Sequence, residues 1–378
     1  MNITDVTWGN YRQGNGYKYY LPIPINHPWK WEHASLNTLL EEASIKLGEL
    51  NSFARLVPNI DLFIQLHVTM EAVISSRIEG TQTNLDEALL PEEDIKPERR
   101  DDWKEVQSYT SAMNYAIGAL SEVPISSRLI CNTHEILLSG VRGEHKLPGE
   151  YRKSQNWIGG ATLKDAKFIP PDHPHIPDLM SDLEKFIHNE DLEVPDLIRA
   201  GMMHYQFETI HPFLDGNGRI GRLLISLYLI YKGIMNKPLL YLSKFFEQHK
   251  STYYDNLTMV REKNDMTQWL EFFLIGIRNT SNEAATTLSS ILSLKSQLET
   301  KIRTDWGKRA HNGLVLLEYL FSQPLVEIKD VSHKCNLSAK AAGELVRKFE
   351  DTGILEEITQ QSRNRVYVFR AYLDKFRA

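Results

Sequence analysis

His211-Pro212-Phe213-Leu214-Asp215-Gly216-Asn217-Gly218-Arg219-Ile220-Gly221-Arg222 sets the organisation of the chain. The apolar run LLISLYLIY follows from Leu223 and reads as a buried helix. The polar cluster therefore lies on the loop that feeds a helix N-terminus. Free N–H groups and the positive end of the helix dipole attract anions there. Gly216 and Gly218 have ready access to positive φ and let the backbone close around a phosphate. Arg219 and Arg222, three apart, share one face and offer charge-assisted, fork-shaped contacts. Asp215 is placed to hold a magnesium ion against the same phosphates. His211 is the only group of the stretch that titrates near neutrality, which makes it the natural general base. A solvated Gly-Asn turn is the plainer reading. It gives no reason for base, acid, glycines and arginines to converge on one helix start.

Composition bounds the alternatives. At 378 residues the chain can bury one large core or two to three domains. Hydrophobic residues make up 42% and charged residues 24%, an ordinary globular mix. The formal net charge of −6 carries no global basic signature of a nucleic-acid protein. Cys131 and Cys335 are too few and too distant for a disulfide framework or a metal cluster, which fits a reducing cytoplasm. The start, MNITDVTWGNYRQGNG, lacks the order of a signal peptide, and no apolar run is long enough to span a bilayer, so no membrane association is expected.

Residues 1–28, rich in Asn, Gly, Tyr and Pro, read as an irregular arm. Periodicity predicts helices over 29–56 and 60–77, separated by Pro58-Asn59. The second ends in Ser75-Ser76-Arg77-Ile78-Glu79-Gly80. Gly80 is a natural C-cap, but Glu79 faces the negative end of the helix dipole. A placement unfavourable locally implies a partner elsewhere, and the arginines of the phosphate loop are the candidates. Residues 84–101 read as a charged, proline-broken loop. Helices follow over 103–120 and 126–138, the latter capped by Ser126 or Ser127 and carrying His134 as a structural histidine. Apolar patches around Gly159-Gly160 and Lys164-Asp165 predict a β-hairpin. Helices over 177–188 and 195–209 lead into the motif, with His204 facing the core. After a connector at 238–243, a helix over 244–263 carries Tyr253-Tyr254-Asp255-Asn256. A long helical stretch over 269–304 exposes a Ser/Thr/Ala/Leu surface suited to another helix or to another subunit of a homodimer.

The motif is similar to the signature HxFx(D/E)GNGRxxR of the Fic family and fills each fixed position. Fic proteins typically transfer AMP from ATP to a protein hydroxyl. The resemblance implies a mainly α fold, a helical core with a small β-hairpin flap. It implies that His211 deprotonates the target hydroxyl and that Asp215 binds Mg²⁺ or Mn²⁺. Gly216, Asn217, Gly218, Arg219, Ile220, Gly221 and Arg222 would cradle ATP, Arg222 taking the γ-phosphate. Ser75 and Glu79-Gly80 match the family's inhibitory pattern (S/T)xxxE(G/N), so Glu79 would pair with Arg222 and block productive γ-phosphate binding. The resemblance also makes the hairpin a flap for the target's backbone and puts the adenine pocket at Tyr254 and Asn256.

From His311 the periodicity restarts. Helices over 314–321, 326–335 and 338–351, then two short strands within 355–369 on either side of about 360–364, read as a winged helix-turn-helix. The expected organisation is therefore an N-terminal arm and inhibitory helical region at 1–115 and a Fic core at 116–280. A linking helix at 281–310 leads to the winged module at 311–378. Lys340, Arg347, Lys348, Arg363 and Arg365 offer phosphate contacts, but Glu344, Glu350, Glu356 and Glu357 interrupt the basic face. Two functions follow. One is a protein adenylyltransferase acting on Ser, Thr or Tyr of a target or of itself. The other is a DNA-binding transcriptional regulator with the Fic core as a nucleotide sensor. The intact motif favours the enzyme.

Overall fold

The computed structural model describes residues 2–56, 60–359 and 365–377. After a hairpin of β1 (Gly9–Gln13) and β2 (Lys18–Pro22), the N-terminal half is helical. It comprises α1 (Ala34–Leu56), α2 (Asp61–Ile78), the short α3 (Leu85–Leu89), α4 (Arg100–Ala119) and α5 (Ser127–Leu138). Then come α6 (Ile176–His188), α7 (Asp196–Ile210), α8 (Asn217–Tyr231), α9 (Ser243–Gln248), α10 (Lys250–Lys263) and the long α11 (Met266–Asp305).

α7 and α8 form the centre. α7 is buried from Leu197 to Ile210, and α8 is buried over nearly all of its length. Both are buried on every face, polar residues of α7 included, and α2, α4, α5, α6 and α11 wrap them. The loop between these two helices is therefore fixed at both ends in the core, and that loop is the motif. Among the described residues no helix is long and apolar enough to cross a membrane.

α11, 40 residues long, spans roughly 60 Å at 1.5 Å per residue. Asp265 opens it by accepting the Gln268 N–H at 3.0 Å. One face of its Ser/Thr/Ala/Leu surface packs within the chain, with Leu288 and Ile291 buried and α1, α12 (Ala310–Ser322) and α15 (Arg370–Arg377) along it, while Thr286, Ser289 and Ser293 stay exposed.

Beyond α12, β3 (Leu325–Glu327), α13 (Ile328–Cys335), α14 (Ala339–Asp351), β4 (Glu356–Glu357) and β5 (Val366–Val368) lead to α15. The strands form an antiparallel sheet in the order β3-β5-β4. This segment is packed on α2. Phe63 of α2 meets Phe321 at 5.8 Å and Tyr372 at 6.4 Å, and Arg370 pairs with Asp86 at 3.0 Å.

Several local expectations are corrected. The 1–28 arm contains the β1–β2 hairpin, which alternates poorly in polarity and so left little trace. Within 84–101, Asn84 and Glu87 form a capping box that starts α3. The single helix over 244–263 is two, broken at His249, whose Nδ1 bonds the Phe245 carbonyl at 2.9 Å. The first residues of 326–335 belong to β3, whose Leu325 and Val326 are buried in the small sheet. The flap hairpin is reduced to one bridge, Ile158 to Phe168, because Gly159 and Gly160, both at positive φ, turn the chain at once. The two strands expected within 355–369 are β4 and β5, while the Pro58-Asn59 break, the stretch 360–364 between the strands and Arg363 lie outside the described residues.

Candidate active site

His211 ends α7 in the left-handed region, with φ 50° and ψ 61°. A non-glycine residue there costs about 1 kcal/mol or more and persists only when its surroundings impose it. Arg152 imposes it. The guanidinium, 2% exposed, donates from Nε to the His211 carbonyl at 3.0 Å, from Nη1 to Ser154 at 3.1 Å and from Nη2 to Pro171 at 2.5 Å. Its own backbone N–H donates to the Pro212 carbonyl at 2.9 Å. Burial lowers the Arg152 pKa to about 10, so it stays charged. Burial, assisted by that charge, lowers the His211 pKa to about 3. The imidazole is thus neutral at physiological pH, and its Nδ1 meets no hydrogen-bond partner among the described residues.

His134 holds the loop from below, stacked on Phe213 at 3.7 Å. Its Nδ1 accepts the Gly149 N–H at 3.0 Å, which leaves Nε2–H to donate to the Asp215 carbonyl at 3.0 Å. The structural reading of His134 is therefore met. Asn217 closes the turn by accepting from Phe213 N at 2.8 Å and donating to Phe213 O at 2.9 Å. Gly216 opens α8 at φ 75°, where an added Cβ would strike Leu137 at 3.0 Å. Ile220 is 1% exposed, so only its backbone is left for a ligand. At Gly221 a Cβ would collide with the Glu208 carboxylate, and at Gly218 with that of Glu79.

The arginines differ in their anchoring. Arg219 lies between Asp215 at 3.4 Å and Glu105 at 3.5 Å, while Tyr109 donates to its carbonyl at 2.9 Å. Asp215 also accepts the Gly216 N–H at 2.6 Å, and its carboxylate is 46% exposed. Among the described residues the side-chain hydrogen bonds of Arg222 go to α2 and its C-cap. Its Nε donates to Ser75 Oγ at 2.8 Å, and its Nη2 donates to Ser75 O at 2.9 Å and to Glu79 Oε1 at 2.8 Å. Glu79 is the C-cap of α2, and Gly80 turns the chain away at φ 113°. Burial raises the Glu79 pKa, but Arg222, with help from Arg219 and His211, outweighs it and leaves the net shift downward. The carboxylate misplaced on its own helix dipole thus has the partner its position called for.

Tyr254 is 40% exposed beside the Glu79–Arg222 pair, and burial with the charge of Glu79 raises its pKa to about 12. Asn256 is not brought to the same surface. Two positions along a helix is a turn of about 200°, and Asn256 is 2% exposed with its Nδ2 bonded to Thr252 O at 2.8 Å. Tyr253 bonds His204 at 2.8 Å in the core, where His204 also donates to Gly221 O at 2.9 Å.

Three functional neighbours were missed. Arg152 is described above. Glu208, 7% exposed and three residues before His211, has its pKa raised to about 7 by burial. Its place three residues before His211 was the available signal. Arg261 lies 3.7 Å over the ring of Phe168 at the flap, and its sequence position on α10, two helices beyond the motif, gave no sign of that.

With this geometry in place, comparison with known proteins is informative. Residues 37–118 match the Fic/DOC family N-terminal region and residues 124–229 match the Fic/DOC family. The chain therefore carries Fic N-terminal and Fic domains. It is 36% identical over 116 residues to a probable protein adenylyltransferase of Aquifex aeolicus, spanning 30% of this chain and 33% of that protein. It is 35% identical over 125 residues to the protein adenylyltransferase Fic of Culex quinquefasciatus, spanning 33% of this chain and 22% of that protein. The matches thus span a third or less of these relatives. A Fic family protein from Desulfovibrio desulfuricans G20 shares the fold, with a TM-score of 0.57 at 21% identity over 91% of this chain and 98% of that one.

Proposed function

We propose that this chain is a protein adenylyltransferase, transferring AMP from ATP to a Ser, Thr or Tyr hydroxyl of a target or of itself, restrained by Glu79. The observation that carries the reading is the neutral His211 ring on the loop that opens α8, an anion site flanked by two buried guanidiniums. The relatives' name, protein adenylyltransferase, agrees with it. In the reaction the target oxygen bonds to the α-phosphorus, the α–β anhydride bond breaks, pyrophosphate leaves, and the hydroxyl proton passes to His211. The Arg222 guanidinium takes the γ-phosphate once Glu79 releases it. Tyr254 stacks at the open rim against the base, while Asn256 is too deeply buried to share that surface.

Among the described residues no group of three His, Cys, Asp or Glu side chains could hold a metal by itself. Mg²⁺ needs only one or two carboxylates plus substrate phosphates, and the half-exposed Asp215 supplies one. The residues therefore fit an ion that arrives with ATP, where it would offset phosphate charge.

The segment 311–378, with its helices and three-stranded sheet, is read as a winged helix that braces α2. DNA binding is disfavoured because Lys348 lies over the Trp306 ring at 4.7 Å and Arg309 pairs with Glu344 at 3.0 Å. Mass spectrometry of the Glu79→Gly chain, incubated with ATP, Mg²⁺ and candidate proteins, should find an AMP adduct that is absent in His211→Ala. Nucleotide bound but transferred to nothing would overturn the reading.

A further inference from the structure

One turn along α2 from Ser75, away from Glu79, the surface opens into a cleft with about 80 Å³ of room. A buried water occupies roughly 10–15 Å³ on such a measure, so the space holds a small molecule and not a nucleotide. Met70 and Ile74 of α2, Leu239 of the connector before α9 and Phe376 of α15 make its apolar walls.

Glu71 and Tyr241 are the buried polar groups of the lining, which also includes the partly exposed His67, Lys244 and Glu283. Glu71 is 4% exposed; the Ser243 hydroxyl donates to it, and it forms no ion pair among the described residues. Tyr241 is 8% exposed, and its hydroxyl meets no hydrogen-bond partner among the described residues. Buried polar groups without partners are uncommon and call for an explanation. Burial lifts the Glu71 pKa to about 7, so a cation beside it would draw it into the ionised form. At the mouth, Lys244 and Glu283 pair at 3.5 Å.

We propose that the cleft binds a small primary amine. The ammonium group sits on Glu71 and the Tyr241 oxygen, and a short hydrocarbon body lies on Met70, Ile74, Leu239 and Phe376. The chemistry narrows the choice. A carboxylate ligand gains no charge attraction from Glu71, neutral or ionised, and the Lys244 ammonium is already paired with Glu283. A purely apolar ligand would leave the Tyr241 hydroxyl buried and unsatisfied and would give Glu71 nothing beyond Ser243. An ammonium donates to both and carries the charge that Glu71 lacks.

The cleft joins α2 to the connector, α11 and α15. A ligand bound there favours the docked position of α2 by mass action, and that is the position in which Ser75 and Glu79 hold Arg222. Occupancy should therefore deepen the resting state. This consequence, unlike the binding itself, rests on the inhibitory reading of Glu79.

Binding is measured by calorimetry and ligand-observed NMR on the full chain, with n-butylammonium, n-butanol, butyrate and K⁺ as probes. n-Butylammonium should bind saturably, while butanol, butyrate and K⁺ should not compete with it. Glu71→Gln should weaken it at least tenfold, and Tyr241→Phe should weaken it less. No saturable binding by folded parent protein, equal binding by Glu71→Gln, or preference for K⁺ would overturn the proposal. In a separate arm, n-butylammonium should lower AMP transfer by the parent but leave Glu79→Gly unaffected. If binding holds and both chains respond alike, the link to Glu79 fails while the site stands.

Discussion

A base that must accept a proton is useless if it is already protonated, and His211 is kept neutral by burial and by the Arg152 charge. Replacing it with Ala should lower AMP transfer by about 10²–10⁴-fold, the usual contribution of a general base, with ATP affinity little changed. Parallel loss of affinity would make it a binding residue. Arg152 is argued to act through His211, as a positioning residue. A lysine at 152 keeps the charge but cannot serve carbonyls spread over two loops, so Arg152→Lys should lower kcat by roughly 10²-fold for about an ångström of misplacement. KM for ATP should stay nearly constant, and unsatisfied carbonyls should cost about 1–3 kcal/mol of stability. A rise in KM with kcat unchanged would remove Arg152 from that role. Most of the site was legible because residues 211–222 are contiguous and each chemical type has its place in a phosphate loop. Arg152 was illegible because nothing in Tyr151-Arg152-Lys153 says that the middle side chain is buried; tertiary structure alone decides it.

At the scale of elements, α2 is a helix whose last turn reaches into a site built from other parts of the chain. Its existence was legible from the 3.6-residue period, and its partner from the awkward place of Glu79 on the dipole. The break between α9 and α10 was not, since no Gly or Pro marks it and the His249 side chain makes the turn. Glu79→Gly removes the carboxylate that ties Arg222 and opens the space above Gly218. Transfer should rise about 10²-fold as the triphosphate settles in line. Stability should not rise, because Arg222 loses a partner until ATP arrives. The double variant Glu79→Gly/Arg222→Ala should lose the gain, as measured by label incorporated from α-labelled ATP. Equal rates for Glu79→Gly and parent would return Glu79 to the role of an ordinary helix end.

Across the whole molecule, burial sets how stability depends on pH. His67, His134, His204 and His211 have pKa values lowered to about 4, 4, 3 and 3 by burial. Unfolded histidines titrate near 6.5. Their contribution is full above about pH 6.5 and is lost as pH falls, because the unfolded chain then binds protons that the native chain refuses. Glu71 and Glu208, raised to about 7, act oppositely and lose their contribution as pH rises through that value. His134→Asn should therefore flatten the acid-side fall of stability by about one proton, roughly 1.4 kcal/mol per pH unit, between pH 6 and 5. Urea midpoints across that range measure the slope, and an unchanged slope would mean that His134 is protonated in the native state. The C-terminal segment poses the larger question. Because no motif residue lies beyond Asn256, the sequence predicts that ending the chain after Lys308 spares nucleotide binding. Yet Phe63 of α2 is fully buried against Phe321 and Tyr372, and His67 meets Phe376 at 5.0 Å. Uncovering one such aromatic costs about 1.5–3 kcal/mol, whereas the partly exposed Arg370–Asp86 pair adds about 1 kcal/mol. Loss of the segment should thus loosen α2 more than it disturbs α7 and α8, which pack without it. The truncated chain should bind ATP, show faster amide exchange in α2 and transfer AMP faster than the parent. Adding Glu79→Gly should then give little further gain, since both changes free the same arginine. Where the uncovered surface makes the truncation insoluble, Phe321→Ala in the full chain puts the same question more mildly. Unchanged exchange in α2 and unchanged transfer in either variant would separate the C-terminal segment from the control of Arg222.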